Sequence, residues 1–245
     1  MKTKQTLIAL AVSALVAAPA FADDSYASVF DVQIGVGNYV YNEGVLNSAS
    51  VNNWVLQNAK GNIGLNVAAG SNNQQANAAA LADAQSSDGA DASIGAVQVS
   101  GFNETVNVPA WLGWEWVDDD GHGGFWWWYQ STTNTASMND RALKDVSGNV
   151  GVNIAAGDGN QQKNDLAIAN ASSCGTCTVD GGSAEASTGA FQVTFGNATY
   201  SYDTYNTASM NNCAMQNASG NIGVNIAAGS GNQQFNGLSL ATAQY

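Results

Sequence analysis

Strict alternation of apolar and polar positions recurs at three places along the chain. Ile63, Leu65 and Val67 alternate with Asn62, Gly64 and Asn66, and the same pattern returns around Val150, Val152, Ile154 and around Ile222, Val224, Ile226. Period two over this length predicts a β-strand with one buried face. Each run continues into Ala-Ala-Gly and then a Ser/Asp and Asn/Gly pair, which makes a turn because Gly and Asn tolerate positive φ. A second strand follows, carrying Gln-Gln-x-Asn and ending near Leu81, Ile168 or Leu240. A helix would have to hold three glycines in ten residues, each about 1 kcal/mol worse than Ala. Strands are therefore expected throughout.

The alternating runs are copies of one unit. The kernels read GNIGLNVAAGSNNQQ from Gly61, GNVGVNIAAGDGNQQ from Gly148 and GNIGVNIAAGSGNQQ from Gly220, identical at ten of fifteen positions. Upstream, each keeps Ala-Ser, an apolar residue and Asn (Asn52, Asn139, Asn211); downstream, each places Asn77, Asn164 or Asn236. The unit is about 37 residues long. It divides the chain into a leader (1–22), an N-terminal segment (23–48), repeat one (49–85), a linker (86–135), repeat two (136–172), a second linker (173–207) and repeat three (208–244). Val97-Gln98-Val99 and Phe191-Gln192-Val193, each ahead of a repeat, read as accessory strands.

One repeat cannot fold alone. Its half-dozen medium apolar side chains supply roughly 1.5–3 kcal/mol each when fully buried. Ordering the backbone costs about 1–2 kcal/mol per residue, which is more. Stacking like repeats closes the deficit, because apolar side chains align and backbone groups pair at about 4.8 Å spacing. The expected fold is all-β: three stacked repeats forming a β-solenoid or cross-β layer stack, with irregular acidic linkers. Stacked amides then hydrogen-bond as ladders. The candidates are Asn62, Asn66, Gln74, Gln75 and Asn77; Asn149, Asn153, Gln161, Gln162 and Asn164; and Asn221, Asn225, Gln233, Gln234 and Asn236. Repeat three runs to Gln244, so a bare edge is expected there, and head-to-tail addition on it makes a filament because the contact does not close. A monomeric solenoid capped by residues 23–48 is the other outcome of the same pattern.

Charge sharpens the division. Only 10% of residues are charged and the formal charge is −13, so no basic surface draws nucleic acid or an anionic membrane. Lys60, Arg141, Lys144 and Lys163 lie in repeats beside Asp83, Asp140, Asp145, Asp158 and Asp165, and the remaining acids lie outside the repeats with no basic neighbour. A neutral stack with solvated acidic loops is expected, since like charges stacked in register repel. No acid recurs at a fixed repeat position, no nucleophile–base set is suggested and no phosphate loop follows a strand, so catalysis is not expected and no cofactor is implied.

The N-terminus reads as an address. Lys2 and Lys4 precede an apolar run from Leu7 to Ala18, and Ala20-Phe21-Ala22 fits signal-peptide cleavage ahead of Asp23. The run is too short to span a membrane, and no later segment is long and apolar enough. Export brings oxidising conditions, where Cys174 and Cys177 are the expected disulfide pair and Cys213 the leftover thiol.

Six of the seven tryptophans fall between Trp111 and Trp128. WLGWEWV, DDDGHGG and FWWWY read as two aromatic strands joined by an Asp/Gly turn, a β-hairpin. Trp111, Trp114, Trp116, Trp126, Trp127 and Trp128 either form a surface that grips glycans, a solid surface or a neighbouring fibril, or pack on the solenoid flank. Asp118, Asp119 and Asp120 invite Ca²⁺, but consecutive acids lack the alternate spacing of an EF-hand loop, so a solvated turn is expected and no metal site is assigned.

The GN-[IV]-G-[LV]-N-[VI]-AAG-x-x-NQQ kernel, in three copies separated by unlike linkers after a signal peptide, resembles the Fap fibril subunits, functional amyloids of bacterial biofilms. Curlin-type repeats share the Gly64-Leu65-Asn66-Val67-Ala68 pattern but are shorter and contiguous. The resemblance implies secretion through an outer-membrane pore and homopolymerisation, alone or with related subunits, into extracellular cross-β fibrils at the cell surface. It also implies ladders at the Asn66, Asn153 and Asn225 positions and at the glutamine pairs. Two features depart from the family's major subunit: the chain ends Thr-Ala-Gln-Tyr with its C-x-x-C in the second linker, and the first linker is aromatic. Major, nucleator and accessory subunit stay open on these residues. The alternative function is a monomeric β-solenoid adhesin or glycan-binding protein that uses the Trp-rich hairpin.

Overall fold

A computed structural model of the chain describes residues 25–85, 89–117, 124–172 and 183–244. The first layer comprises β1 (Ser25–Val36), β2 (Tyr39–Glu43), β3 (Leu46–Val51), β4 (Lys60–Ala69) and β5 (Gln74–Gln85). The second is β6 (Gly89–Gly101), β7 (Glu104–Val108), the hairpin strands β8 (Ala110–Val117) and β9 (Gly124–Gln130), then β10 (Thr132–Met138), β11 (Ser147–Ala156) and β12 (Gln161–Ser172). The third is β13 (Ser183–Phe195), β14 (Ala198–Ser201), β15 (Thr204–Met210), β16 (Ser219–Ala228) and β17 (Gln233–Gln244). Apart from β8 and β9, every strand pairs in parallel with its counterparts, and the middle-layer strand is central in all five three-stranded sheets. The all-β, three-layer stack expected from the alternation is the observed architecture.

Each layer is wider than the 37-residue unit. The N-terminal segment contributes β1, β2 and the start of β3, and the linkers contribute β6, β7, β13 and β14. Gln98 of Val97-Gln98-Val99 stacks between Gln33 of β1 and Gln192 of β13, so both accessory strands belong to the stack. The second strand of each repeat also runs beyond Leu81, Ile168 and Leu240, to Gln85, Ser172 and Gln244. The cause is the alternating alanines that follow. Ala80, Ala82 and Ala84 with Ala167, Ala169 and Ala171 form a core against Ala90, Ala92 and Ile94 of β6.

A second core lies on the other side of the kernel strands. There Val150, Val152 and Ile154, flanked by Ile63, Leu65, Val67 and Ile222, Val224, Ile226, pack against Ala49, Val51, Ala136, Met138, Leu143 and Val146. Between the two cores, the polar faces of β4, β11 and β16 meet those of β5, β12 and β17.

The segments joining β3 to β4 and their counterparts each hold four non-glycine residues in the left-handed region. Asn53, Trp54, Leu56 and Asn58, Asp140, Arg141, Leu143 and Asp145, and Asn212, Cys213, Met215 and Asn217 all have φ between 55° and 65°. Non-glycine residues reach this region at a cost of roughly 1–2 kcal/mol each, less for Asn and Asp. Hydrogen bonds between layers hold them there, Trp54 N to Asp140 O at 3.1 Å, Leu143 N to Val55 O at 2.8 Å and Met215 N to Ala142 O at 2.8 Å among them. Arg141 lies over the Trp54 ring at 4.7 Å, which adds a cation–π contact between the first two layers.

The hairpin explains the unequal spacing of the repeats. First- and second-layer partners are 65 residues apart at Gln33 and Gln98 but 87 apart at Asn47 and Asn134. Second- and third-layer partners are 94 apart at Gln98 and Gln192 but 72 at Asn134 and Asn206. Residues 109–131 fill a connection that 44–45 and 202–203 make in the outer layers.

The expectation that the acids outside the repeats are all solvated loop groups needs correction. Lys163 is fully buried and pairs with Asp31 of β1 and, at 3.0 Å, with Asp165. Asp31 is among the acids with no basic neighbour in sequence, and the fold brings it to Lys163 from another sheet. What survives of the charge rule is local. Lys163 stacks between Ala76 and Phe235, and Asp165 between Ala78 and Gly237. Each buried charge is thus flanked by neutral layers.

Candidate functional site

Among the described residues, eight columns of side-chain amides bond through all three layers. Asn153 Nδ2 donates to Asn66 Oδ1 at 3.0 Å, and Asn225 Nδ2 to Asn153 Oδ1 at 2.9 Å. The Asn62, Asn149, Asn221 column joins at 2.7 and 2.8 Å in the same sense. Gln161 donates to Gln74 and Gln233 to Gln161, at 2.8 and 2.7 Å. Gln75 donates to Gln162 and Gln162 to Gln234, each at 2.7 Å, so this column runs in the opposite sense. Asn164 lies 2.9 Å from Asn77 and accepts from Asn236 Nδ2 at 2.9 Å. All fifteen amides singled out in the sequence are therefore brought together, five in each layer.

Two of these columns also bond within each layer. The Asn66–Asn77 contact is 2.7 Å, and Asn164 donates to Asn153 at 2.8 Å and Asn236 to Asn225 at 2.7 Å. That contact requires Gly64, Gly151 and Gly223. A Cβ on Gly151 would meet Asn77 Oδ1 at 2.7 Å and Asn164 Cβ at 3.0 Å. The kernel glycines, which argue against a helix, are thus the seats of the downstream asparagines. Asn153, Gln161 and Gln162 are fully buried, where an amide without a partner would cost about 1–3 kcal/mol.

Three columns were not singled out in the sequence. They are Gln33, Gln98 and Gln192 at 2.6 and 2.7 Å, Asn47, Asn134 and Asn206 at 2.9 and 2.8 Å, and Asn73, Asn160 and Asn232 at 2.9 and 2.8 Å. The third sits inside the kernel as the Asn before each glutamine pair. The first was signalled by the repeated Val/Phe-Gln-Val.

Carboxylates inside the stack are perturbed by their burial. Asp165 is pushed up to about 6 by desolvation, against the pull of Lys163. Asp158 is also raised by burial, although Ser71 N and Asn42 Nδ2 donate to it at 2.8 and 3.1 Å. Both therefore hold their protons more readily than an exposed aspartate.

The stack ends in open edges. β4 and β5 lie at one edge of their sheets and β16 and β17 at the other, and no strand among the described residues pairs with their outer sides. The same amide columns reach both ends.

The hairpin is a different kind of surface. β8 and β9 pair antiparallel, with Trp111 opposite Tyr129, Trp114 opposite Trp127 and Trp116 opposite Phe125. Trp111, Trp114, Trp116, Trp126, Trp127 and Trp128 are each between 53% and 62% exposed, so they do not pack on the solenoid flank. Cys213 is an exposed free thiol. Residues 1–22, Asp118–Asp120, Cys174 and Cys177 lie outside the described residues.

The chain is 38% identical to the functional amyloid subunit FapC of Pseudomonas aeruginosa, over 88% of this chain and 82% of that protein. No solved structure matches it. A sequence profile of the functional amyloid protein FapB/FapC family matches residues 26–119 and 118–245. Those two matches take in all three described layers, and the chain belongs to the FapB/FapC family of functional amyloid proteins.

Proposed function

We propose that this chain is exported through a signal peptide and an outer-membrane pore and polymerises, alone or with related subunits, into extracellular cross-β fibrils of a biofilm matrix. The observation that carries this reading is the pair of open edges bearing the same amide columns. A second copy laid on β16 and β17 with its β4 and β5 continues every column. Asn225 Oδ1 then accepts from the incoming Asn66, Gln233 accepts from the incoming Gln74, and Gln234 donates to the incoming Gln75. The junction is also electrically quiet. Continuing the register sets Lys60 of the new copy over Ser219 and Asp83 over Thr242. The contact joins opposite ends of the molecule, so it repeats without closing. Each added copy presents the edge on which the next one orders, which is growth by templating.

X-ray fibre diffraction on residues 23–245, incubated at neutral pH, tests this. Reflections near 4.7–4.8 Å and about 10 Å with visible filaments are expected. A chain that stays monomeric and gives no such reflections overturns the reading in favour of a soluble solenoid adhesin.

A further inference from the structure

We propose that one face of the β8–β9 hairpin is a second self-association surface, on which the hairpin of another copy of this chain docks face to face. It is separate from the layer edges and does not rest on fibril growth.

The face is built by a β-bulge. Side chains alternate along a strand, so Trp111 should share a face with Gly113 and Glu115 and lie opposite Trp114 and Trp116. The register shift between Trp111 and Gly113 reverses this. An extra residue in one strand turns every side chain beyond it to the other side. Gly113 sits at φ 142°, a conformation that side-chain-bearing residues rarely adopt. Trp111 thereby joins Trp114, Trp116, Phe125, Trp127 and Tyr129 on one side, since cross-strand partners share a face. Phe125 contacts Trp114 and Trp116 edge-to-face at 5.0 and 4.8 Å, which fixes the rings as one platform.

Charge chooses between the two faces. Among the described residues, the six-ring face carries no charged side chain. On the opposite face Glu115 lies across from Trp126, and burying it unpaired is costly. Area chooses the partner. An aromatic side chain buries 150–250 Å² when covered, so six half-exposed rings offer roughly 600 Å². Two such faces together remove about 1,200 Å², the lower limit of a stable interface. A self-complementary, uncharged patch of this size suits its own copy through a two-fold contact. The chain's net charge of −13 opposes that contact at low salt and is screened at high salt. Single chains therefore form a weak dimer. Along a stack of three-layer chains one hairpin recurs every 14 Å or so, about three strand spacings, and aligned hairpins bind together far more tightly than one does.

Sedimentation velocity on freshly dissolved full chain, at low and high salt, tests the proposal before any filament forms. A concentration-dependent dimer that strengthens with salt is expected, accompanied by a blue shift of tryptophan emission. Trp114→Ser with Trp127→Ser should weaken it by at least about tenfold. Trp126→Ser with Trp128→Ser, an equal loss of tryptophan from the other face, should change it by less than about twofold. Trp116→Lys places a charge on the platform and should abolish the dimer independently, with far-UV circular dichroism confirming an unchanged stack. A monomer at every salt concentration, equal effects of the two double variants, or release of the dimer by a soluble β-glucan would each overturn the proposal, the last assigning the face to glycan.

Discussion

The stack and the hairpin are built from the same kind of strand, yet they obey opposite rules. In the stack every position exists three times, its partners are its own counterparts, and the middle copy is sealed by the outer two. Gln98, Asn153 and Gln162 have no exposed surface for this reason. The hairpin exists once, pairs with itself in the antiparallel sense and leaves its rings half exposed. A substitution in the stack is felt by the layers above and below. A substitution among the hairpin's rings is felt within the hairpin itself, through contacts such as those of Phe125 with Trp114 and Trp116.

That contrast can be broken most forcibly by Asn66→Asp, Asn153→Asp and Asn225→Asp together. Charges about 4.8 Å apart repel by about 3 kcal/mol per adjacent pair at an effective dielectric of 20. Thioflavin-monitored growth should stop or slow by orders of magnitude, and growth at the parent rate would refute a stacked column. Gly151→Ala should cost about 1–3 kcal/mol, because its Cβ has no room beside Asn77 and Asn164. Gly124→Ala at the start of β9 meets nothing within 4 Å and should be silent; a denaturant titration of the two variants compares them directly.

Asp165→Asn should act in the opposite direction. A carboxyl whose folded pKa of about 6 lies above the ordinary 3.8 binds its proton more tightly when folded. Stability therefore falls as pH rises from about 4 to about 6, and the full deficit stands at pH 7. The substitution removes a deficit on the order of 2 kcal/mol and flattens that slope, while Lys163 keeps Asp31. A pH series of denaturant midpoints measures both. Trp126→Ser with Trp128→Ser should change the unfolding free energy from the same titrations by less than about 0.5 kcal/mol.

Much of the stack was legible because its chemistry repeats in one dimension. The Ile63-Leu65-Val67 alternation, the Gly70 turn and the Gln74-Gln75 pair announce strand, turn and strand without reference to anything distant. The outer parts of each layer were harder to see. β1, β6 and β13 share a central glutamine and small residues, and Val32-Gln33-Ile34 falls in the segment ahead of the first repeat. Nor does sequence show that Lys163 and Asp31 meet, since only the folding of one sheet onto another joins them. The left-handed turns were hidden for a different reason. Trp54, Leu56 and Met215 have no local preference for positive φ, and the neighbouring layer imposes it.

Those turns give the stack a means of proofreading. In each layer four non-glycine residues must enter a backbone region they disfavour before the hydrogen bonds to the next layer can form. A layer in register recovers that energy, because its turn fits the one beside it. A layer shifted along its neighbour would keep the strain and lose the matching carbonyls. Alignment of the three layers is therefore guarded by the least comfortable residues of the chain.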